Sequence, residues 1–373
     1  MKRTNMIPFL ILLLVFCISG CGQESRSRET EETVQAAERN TTADIETEEQ
    51  MSTAENMEQE WMREQAEGKT QEQTEYISTV PEEYFAASDH AGQVVEITYD
   101  SYDYTDASQP AIQKTAYVYL PYGYDEADQD TRYDILYLMH GWTMTAGDFF
   151  NESQSGIVSI LDHMIENGDI PPLIVVCATF DAQNQSQSFS RSVEELSVFH
   201  NDLRENLMPY IESHYHTYAD GVTPEAFQAS RAHRAFGGFS LGAVTTWYQF
   251  IYNLDYIQYF LPMSGDCWIM GTYGGRYYPV ETVDYLENML AEGGYGEDDF
   301  RIYQGIGTDD PIWGQTDSQI QEMFTRSTFT PENLHYAIIQ GGRHDMDACE
   351  RYIYHALQDF FGEKTAAEFN GEP

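Results

Sequence analysis

The chain is short of positive charge. It has 373 residues with only 19 lysines and arginines against 62 aspartates and glutamates, which gives a formal net charge of −43. Proteins that bind the phosphate backbone of nucleic acids need a basic face. The charge balance therefore argues against a nucleic-acid partner and favours solubility and repulsion from anionic surfaces.

Cysteine is also scarce. Five cysteines are too few for a disulfide scaffold, and their irregular spacing excludes the usual zinc sites. Cys177 lies in an apolar run typical of a buried strand. A bridge between Cys267 and Cys349 stays open for an exported protein, although free thiols are the simpler interpretation of an odd count.

A sustained apolar run occurs at the start of the chain, after a positively charged beginning. The run from Ile7 to Ile18 is too short and wrongly flanked for a stable membrane span, and it is typical of a signal peptide. The tetrad Ile18-Ser19-Gly20-Cys21 resembles the bacterial lipobox, in which the cysteine is lipidated before cleavage. The sequence thus predicts a lipoprotein signal peptide over residues 1–20. Lipidated Cys21 would anchor the mature protein to the outer face of a bacterial membrane.

Residues 21–80 have almost no glycine, no proline and no clustered apolar residues. They are rich in Glu, Gln, Thr, Ser and Ala. Such a segment cannot bury enough apolar surface to offset the entropy of ordering its backbone. We expect a disordered acidic linker over 21–80, followed by a folded domain over 81–373.

The composition changes from about Pro81 onward, where short apolar runs alternate with longer amphipathic stretches. Residues 94–99 and 115–120 alternate like antiparallel strands, and 135–139 and 173–179 are continuous apolar runs typical of strands buried on both faces. Further predicted strands cover 233–239, 259–263, 300–306 and 335–339; predicted helices cover 193–215, 241–253, 280–291, 318–327 and 348–361. This alternation predicts an α/β fold with a mostly parallel central sheet and helices on both faces.

The strongest chemical signal is Gly238-Phe239-Ser240-Leu241-Gly242, between a predicted strand and a predicted helix. A chain that turns sharply from strand to helix needs small residues two positions before and after the nucleophile. The serine Oγ then stands exposed above the helix N-terminus. In this context the motif predicts Ser240 as a nucleophile.

A serine of this kind needs a base and an acid, which follow it in the order acid, then histidine. His344 lies between the last predicted strand and the last predicted helix. Asp309 and Asp310 follow the strand before it, and the residue pattern alone leaves the choice between them open. Asp345 is interpreted as a helix cap, because its side chain points away from that of its neighbour.

The third requirement is a pair of donors for the oxyanion. The strand over 135–139 ends in His140-Gly141, as in hydrolases of this architecture. We assign the donors to the backbone N–H groups of Trp142 and Leu241. His140 is interpreted as a structural residue that is hydrogen-bonded beneath the loop.

The stretch from Arg234 to Tyr248, with Phe260 to Trp268 after it, resembles the esterase D-like α/β-hydrolases. Within that family it is most similar to the feruloyl and acetyl-xylan esterase modules of bacterial xylanases, over a region from about Tyr117 to Phe361. The resemblance implies the α/β-hydrolase fold and a serine esterase that needs no metal or cofactor. It also implies action on esters that decorate plant xylan. The family pattern Gly-Thr-x-Asp selects Asp310 as the acid.

Loops above the sheet are expected to bind an ester-decorated polysaccharide or oligosaccharide. Asp266, Trp268 and Tyr273 are candidate contacts, because aromatic planes stack on sugar or phenolic rings. Ordinary loop packing stays open as the alternative for these three residues.

Two other functions remain open from sequence. One is an acyl hydrolase or transferase of the same fold that acts on a siderophore or a lipid-like ester. The other is a non-catalytic surface binding protein. The intact Ser240, His344 and acid pair argue against that function. The acyl group, ferulate or acetate, and the oligomeric state are also left open.

Overall fold

The computed structural model describes residues 73–128, 130–182 and 188–362. The predicted signal peptide, Cys21 and most of the predicted linker lie outside these ranges. Within them, no helix has the length and apolar character needed to cross a membrane.

The described residues contain one sheet of nine strands. They are β1 (Thr74–Tyr76), β2 (Gln93–Tyr102), β3 (Ala111–Leu120), β4 (Asp134–Met139), β5 (Leu173–Ala178), β6 (Arg234–Phe239), β7 (Tyr259–Met263), β8 (Arg301–Gly307) and β9 (Leu334–Ile339). Their order across the sheet is β1-β9-β8-β7-β6-β4-β5-β3-β2. The β2–β3 and β3–β5 pairs are antiparallel and all others are parallel. The predicted mostly parallel sheet is therefore confirmed.

Helices connect the strands. They are α1 (Ile157–Glu166), α2 (Phe189–Asp202), α3 (Met208–His214), α4 (Pro224–Ala229), α5 (Leu241–Asn253), α6 (Gly274–Tyr277), α7 (Pro279–Gly293), α8 (Trp313–Met323) and α9 (Met346–Leu357). A π-helical turn over Leu203–Leu207 joins α2 to α3, where the sequence predicts one helix over 193–215. Helix α1 is not among the predicted helices, although its buried residues follow the helical period.

Two hydrophobic cores cover the two faces of the sheet. In β4, Tyr137 and Met139 belong to the core that contains α5, while Leu136 and Leu138 belong to the core that contains α9. This alternation is the period of two expected for a strand buried on both faces. We call the two sides the α5 face and the α9 face. The prediction of helices on both faces is confirmed.

Strand β1 lies inside the segment predicted as linker. It pairs in parallel with Tyr336 to Ile338 of β9. After it, Ile77 and Val80 are buried at 7% and 6% exposure. The predicted domain boundary at residue 81 is therefore wrong by several residues. Three residues with the sequence Thr-Glu-Tyr give no apolar alternation by which a strand can be recognised.

Truncation at two points tests this boundary. A variant lacking residues 1–72 is expected to keep the Tm of the full chain. A variant lacking 1–80 loses burial of Ile77 and Val80, which contribute about 1.5–3 kcal/mol each. Its Tm is expected to fall by roughly 10 °C. Equal Tm values for the two variants, measured by calorimetry, would show that β1 contributes nothing to stability.

Cys177, Cys267 and Cys349 are buried free thiols. The simpler interpretation from sequence, three unpaired thiols, is confirmed. Burial raises the pKa of Cys267 to about 12. A thiol that stays protonated at neutral pH is a poor nucleophile, so these cysteines are structural.

Candidate active site

Ser240 occupies the single position between β6 and α5. Its backbone has φ 58° and ψ −115°, a conformation that costs a residue other than glycine about 1–3 kcal/mol. The Ser240 N–H donates to the Met263 carbonyl of β7 at 2.9 Å, which holds the turn in place. This is the geometry of a nucleophile elbow, which exposes the serine Oγ at the sheet edge.

The two glycines of the motif are required by close backbone approach. A Cβ on Gly238 would overlap the Gly242 carbonyl, and a Cβ on Gly242 would overlap the Met139 carbonyl at the end of β4. Only glycine at both positions lets the strand, the helix start and the neighbouring strand end meet. The sequence requirement for small residues around Ser240 thus has a direct steric cause.

His344 and Asp310 are hydrogen-bonded to each other. The distance between His344 Nδ1 and Asp310 Oδ2 is 2.9 Å. Asp310 is 2% exposed, and its other oxygen accepts the Ile312 N–H at 2.9 Å. Asp309 is exposed, and its carboxylate accepts a hydrogen bond from Thr308 Oγ1 at 3.4 Å. The structure therefore brings Asp310 to His344, which leaves Nε2 of the ring as the base nitrogen.

Backbone contacts between the loops after β8 and β9 fix this pair. The Thr308 N–H donates to the Ile339 carbonyl at 3.0 Å, and the Asp309 N–H donates to the Gly342 carbonyl at 2.9 Å. The Gly341 N–H donates to Thr308 Oγ1 at 2.8 Å. Because both loops are tied at three points, the acid and the histidine keep their relative position.

The His344 ring lies beside the nucleophile turn. Its centroid is 4.4 Å from that of Phe239, the residue before Ser240. The side chain is 26% exposed, so a substrate can reach it. Asp345 caps α9 by accepting the Ala348 N–H at 3.2 Å, as predicted.

His140 holds the loop that carries the first predicted oxyanion donor. Its Nδ1 lies 2.8 Å from the Gly141 carbonyl, and its Nε2 lies 2.7 Å from Thr179 Oγ1. A carbonyl only accepts, so Nδ1 donates and Nε2 accepts the Thr179 hydroxyl proton. Burial lowers the pKa of His140 to about 4. The ring is thus neutral and structural, as the sequence predicts.

The hydrogen bonds to the Gly141 carbonyl orient the Trp142 N–H. The Gly141 carbonyl also accepts the Met144 N–H at 3.2 Å. In a planar trans peptide the N–H of Trp142 points opposite to that bound carbonyl. A Cβ built on Gly141 would lie 3.2 Å from the Ser240 Cβ, so this peptide lies beside the nucleophile. The second predicted donor, Leu241 N–H, is the first of α5 and has no acceptor within the helix.

Four aromatic side chains lie next to this site, each in contact with the next. Trp142 packs edge-on against Phe189 with centroids 5.3 Å apart, and Phe189 lies 6.1 Å from Trp268. Trp268 packs edge-on against Tyr273 at 5.1 Å. We call Trp142, Phe189, Trp268 and Tyr273 the aromatic wall. Phe189 is not among the residues predicted from sequence, because a phenylalanine at the start of a helix is typical of ordinary packing.

Asp266 supports this wall from inside the protein. It is 2% exposed, and its two oxygens accept the Trp268 Nε1–H and the Gly275 N–H, both at 2.8 Å. Burial raises its pKa to about 6. The sequence predicts a substrate contact for Asp266, but both of its oxygens are used to fix the Trp268 ring and the start of α6.

Replacement of this carboxylate tests its supporting role. Asp266→Asn puts an NH2 group against one of two N–H donors, and an unsatisfied buried donor costs about 1–3 kcal/mol. We expect a lower Tm together with a raised KM for aromatic esters. Glu281→Gln, at an exposed carboxylate of the neighbouring α7, is the matched control. A variant with wild-type Tm and KM would contradict the assignment.

A family model described as "Putative esterase" matches residues 112–364. The chain is 34% identical over 289 residues to endo-1,4-beta-xylanase Y of Acetivibrio thermocellus, covering 76% of this chain and 24% of that protein. It is 30% identical over 173 residues to an endo-1,4-beta-xylanase/feruloyl esterase of Xylanibacter ruminicola, covering 46% and 21%. The chain thus spans only a small part of the length of these curated relatives.

Solved structures show the same fold. A mutant of the feruloyl esterase module from Clostridium thermocellum, complexed with sinapinate, is 31% identical with a TM-score of 0.66, covering 78% of this chain and 95% of that one. A ferulic acid esterase from Anaeromyces mucronatus is 22% identical with a TM-score of 0.58, covering 77% and 98%. The chain therefore belongs to the family described as putative esterases, and it has the α/β-hydrolase fold.

Proposed function

We propose that this protein is a serine esterase that removes feruloyl groups, and more slowly acetyl groups, from xylan. Ser240, His344 and Asp310 form its catalytic triad. The observation that carries the proposal is the 2.9 Å bond between His344 Nδ1 and buried Asp310, held beside the strained turn of Ser240. Both are arrangements that a serine nucleophile needs and that a purely structural turn does not.

The first half of the reaction forms an acyl-enzyme. His344 Nε2 takes the proton of Ser240 Oγ, which attacks the ester carbonyl carbon. The developing oxyanion is held by the backbone N–H groups of Trp142 and Leu241. Asp310 stabilises the imidazolium that His344 becomes, because its buried carboxylate faces Nδ1.

The acyl-enzyme is formed when His344 gives its proton to the departing sugar oxygen and the bond between that oxygen and the carbonyl carbon breaks. The second half of the reaction releases the acid. A water molecule then loses a proton to His344 and attacks the acyl-enzyme. The carboxylic acid leaves, and Ser240 recovers its proton.

The aromatic wall supports a feruloyl group on the acyl side. Phenolic rings pack favourably against aromatic side chains in edge-on or offset geometry. Trp142 is 43% exposed, so the wall is open to an incoming ring. Two of the relatives support the same assignment, since one combines xylanase and feruloyl esterase in its name and another was solved with sinapinate.

The test is the release of ferulate and acetate, measured side by side from an arabinoxylan that carries both groups. We expect ferulate to be released with the higher kcat/KM. Release of acetate alone would contradict the role of the aromatic wall. Release of neither acid would contradict the xylan assignment and favour another ester.

We also propose that the protein is held at the outer face of a bacterial membrane through lipidated Cys21. The lipobox-like tetrad supports this, and the cysteine thiol is its only acceptor. Cys21→Ser is expected to move the protein from the membrane fraction to the soluble fraction, with no lipid in its intact mass. A wild-type protein that carries no lipid and fractionates as soluble would contradict the proposal.

A further inference from the structure

Two buried carboxyl groups outside the triad are hydrogen-bonded to each other. Asp181 lies in the loop after β5, and Glu195 lies in α2. Each residue is 3% exposed. The reaction described above uses neither of them, and two acids buried against each other are unfavourable unless their charge is reduced. We call Asp181 and Glu195 the carboxyl pair.

The bond within the carboxyl pair requires a proton. Glu195 Oε1 accepts the Arg191 Nε–H at 2.9 Å and the Ala182 N–H at 3.4 Å. Among the described residues, no N–H or hydroxyl group donates to Glu195 Oε2 or to Asp181 Oδ1. A carboxylate only accepts hydrogen bonds, so two carboxyl groups bond to each other only when one of them is protonated.

The cations nearest to the carboxyl pair are already engaged by other acids. Lys114 of β3 lies 2.8 Å from the Asp202 carboxylate. Arg191 of α2, besides its bond to Glu195, lies 3.1 Å from the Asp103 carboxylate. Neither cation is therefore free to neutralise a second negative charge on the pair.

The opposite side of Asp181 offers no positive charge either. Glu96 of β2 and Tyr117 of β3 line the same cavity as Asp181, and their side chains are hydrogen-bonded to each other. Burial, and next the Glu195 carboxyl, raise the pKa of Asp181 to about 7. The shared proton is therefore held below neutral pH and released above it.

One half of the carboxyl pair is connected to the oxyanion donor. The Asp181 N–H donates to Thr179 Oγ1 at 3.1 Å, and the Thr179 hydroxyl donates to His140 Nε2 at 2.7 Å. His140 Nδ1–H in turn binds the Gly141 carbonyl, which orients the Trp142 N–H. The position of the loop at Asp181 thus affects the group that holds the oxyanion.

The other half is connected to the aromatic wall. Glu195 lies in the same helix as Phe189, the first residue of α2. Phe189 is the ring between Trp142 and Trp268, with centroid distances of 5.3 Å and 6.1 Å. A shift of α2 away from the loop after β5 would therefore displace the middle of the wall.

We propose that Asp181 and Glu195 are a positioning pair, in which one shared proton joins the loop after β5 to α2 and so keeps the Trp142 N–H and the aromatic wall in place. Loss of the proton leaves two negative charges at hydrogen-bond distance, and their repulsion separates the loop from the helix. The catalytic consequence rests on the proposed function, whereas the shared proton does not.

Thermal unfolding tests the shared proton without a substrate. An unfolded aspartate has a pKa of about 3.9, so the folded protein holds the extra proton between about pH 4 and 7, and the pair contributes less stability as pH rises through that window. In Asp181→Asn the amide donates to Glu195 at every pH. The Tm of this variant minus that of wild type is expected to rise by about 3 °C or more from pH 5 to pH 8. A difference that stays constant with pH would overturn the shared proton.

Glu194→Gln is the matched control. Glu194 is the neighbour of Glu195 in α2, its side chain is 65% exposed, and it lies 3.7 Å from Arg191. We expect its Tm to differ from that of wild type by the same amount at pH 5 and pH 8. A pH-dependent difference as large as that of Asp181→Asn would mean that the effect does not come from the buried pair.

The pH dependence of kcat tests the positioning role. Hydrolysis of nitrophenyl acetate is measured for wild type and Asp181→Asn from pH 5.5 to 8.5; because His344 titrates in both, the ratio of their kcat values isolates the pair. We expect this ratio to rise about tenfold, since a misplacement of about 1 Å can cost roughly 100-fold in rate. Asp181→Ala, which cannot form the bond, is expected to lose about tenfold or more in kcat at every pH. A ratio that does not change with pH, or a folded Asp181→Ala with the kcat of wild type, would overturn the positioning role.

The two measurements separate this inference from the proposed function. If wild type hydrolyses no ester, the proposed function fails and the catalytic role of the pair fails with it, while the Tm difference still decides on the shared proton. If wild type is an active esterase and the kcat ratio is constant, only the positioning role fails.

Discussion

Ser240→Ala is expected to lower kcat for ester hydrolysis by about 10⁴- to 10⁶-fold, the range typical of triad deletions. The reason is that the acyl-enzyme cannot form without Oγ, while the remaining oxyanion donors give only residual catalysis. The fold is expected to persist, because alanine keeps the Cβ and opens no large cavity. Initial rates on a soluble nitrophenyl ester, together with the Tm, measure both effects.

Two further variants sharpen this result. Ser264 also has a positive φ, at 56°, immediately after the neighbouring strand β7. Ser264→Ala is therefore the matched control, and we expect its activity to stay within about tenfold of wild type. Ser240→Gly removes the backbone strain and is expected to be more stable than Ser240→Ala by about 1–3 kcal/mol. Near-wild-type turnover by purified Ser240→Ala would contradict the elbow assignment.

Asp310→Asn is expected to lower kcat by about 10⁴-fold with little change in KM. The asparagine keeps the shape but loses the charge that stabilises the His344 imidazolium, and its amide favours the wrong tautomer. Asp309→Asn is expected to stay within about tenfold of wild type, because the Asp309 side chain is exposed and bound to Thr308. Both variants are compared on one soluble ester.

The comparison between the adjacent acids has clear contrary results. A larger loss of kcat in Asp309→Asn would mean that Asp309, and not Asp310, is the acid that pairs with His344. Wild-type rates for both variants would mean that another group orients His344. In either case the triad would need to be redrawn.

The chemistry of the site was largely predictable from sequence because its signals are local. The Gly-x-Ser-x-Gly motif is recognisable in the sequence because close contact between Gly238 and Gly242 leaves no room for a larger residue. The continuous apolar runs predicted β4 and β5 because both strands are fully buried. The choice of Asp310 over Asp309 needed the family resemblance, since the two residues are chemically identical in sequence.

Other features depend on contacts between distant segments, which a local pattern does not show. Strand β1 is too short to have a period, and it exists because β9 offers an edge to pair with. The buried carboxylate of Asp266 binds the Gly275 N–H, nine residues further along the chain. Phe189 joins Trp142 to Trp268 only once the helices of the α5 face are packed.

Covalent labelling tests the central claim, that Ser240 is the nucleophile of this esterase, most directly. The purified protein is treated with a fluorophosphonate and digested, and the modified residue is identified by mass spectrometry while the remaining activity is followed. We predict one phosphonyl group on Ser240, activity lost in proportion to labelling, and no label on Ser240→Ala. A label on another residue, or full activity in protein whose Ser240 is labelled, would contradict the account.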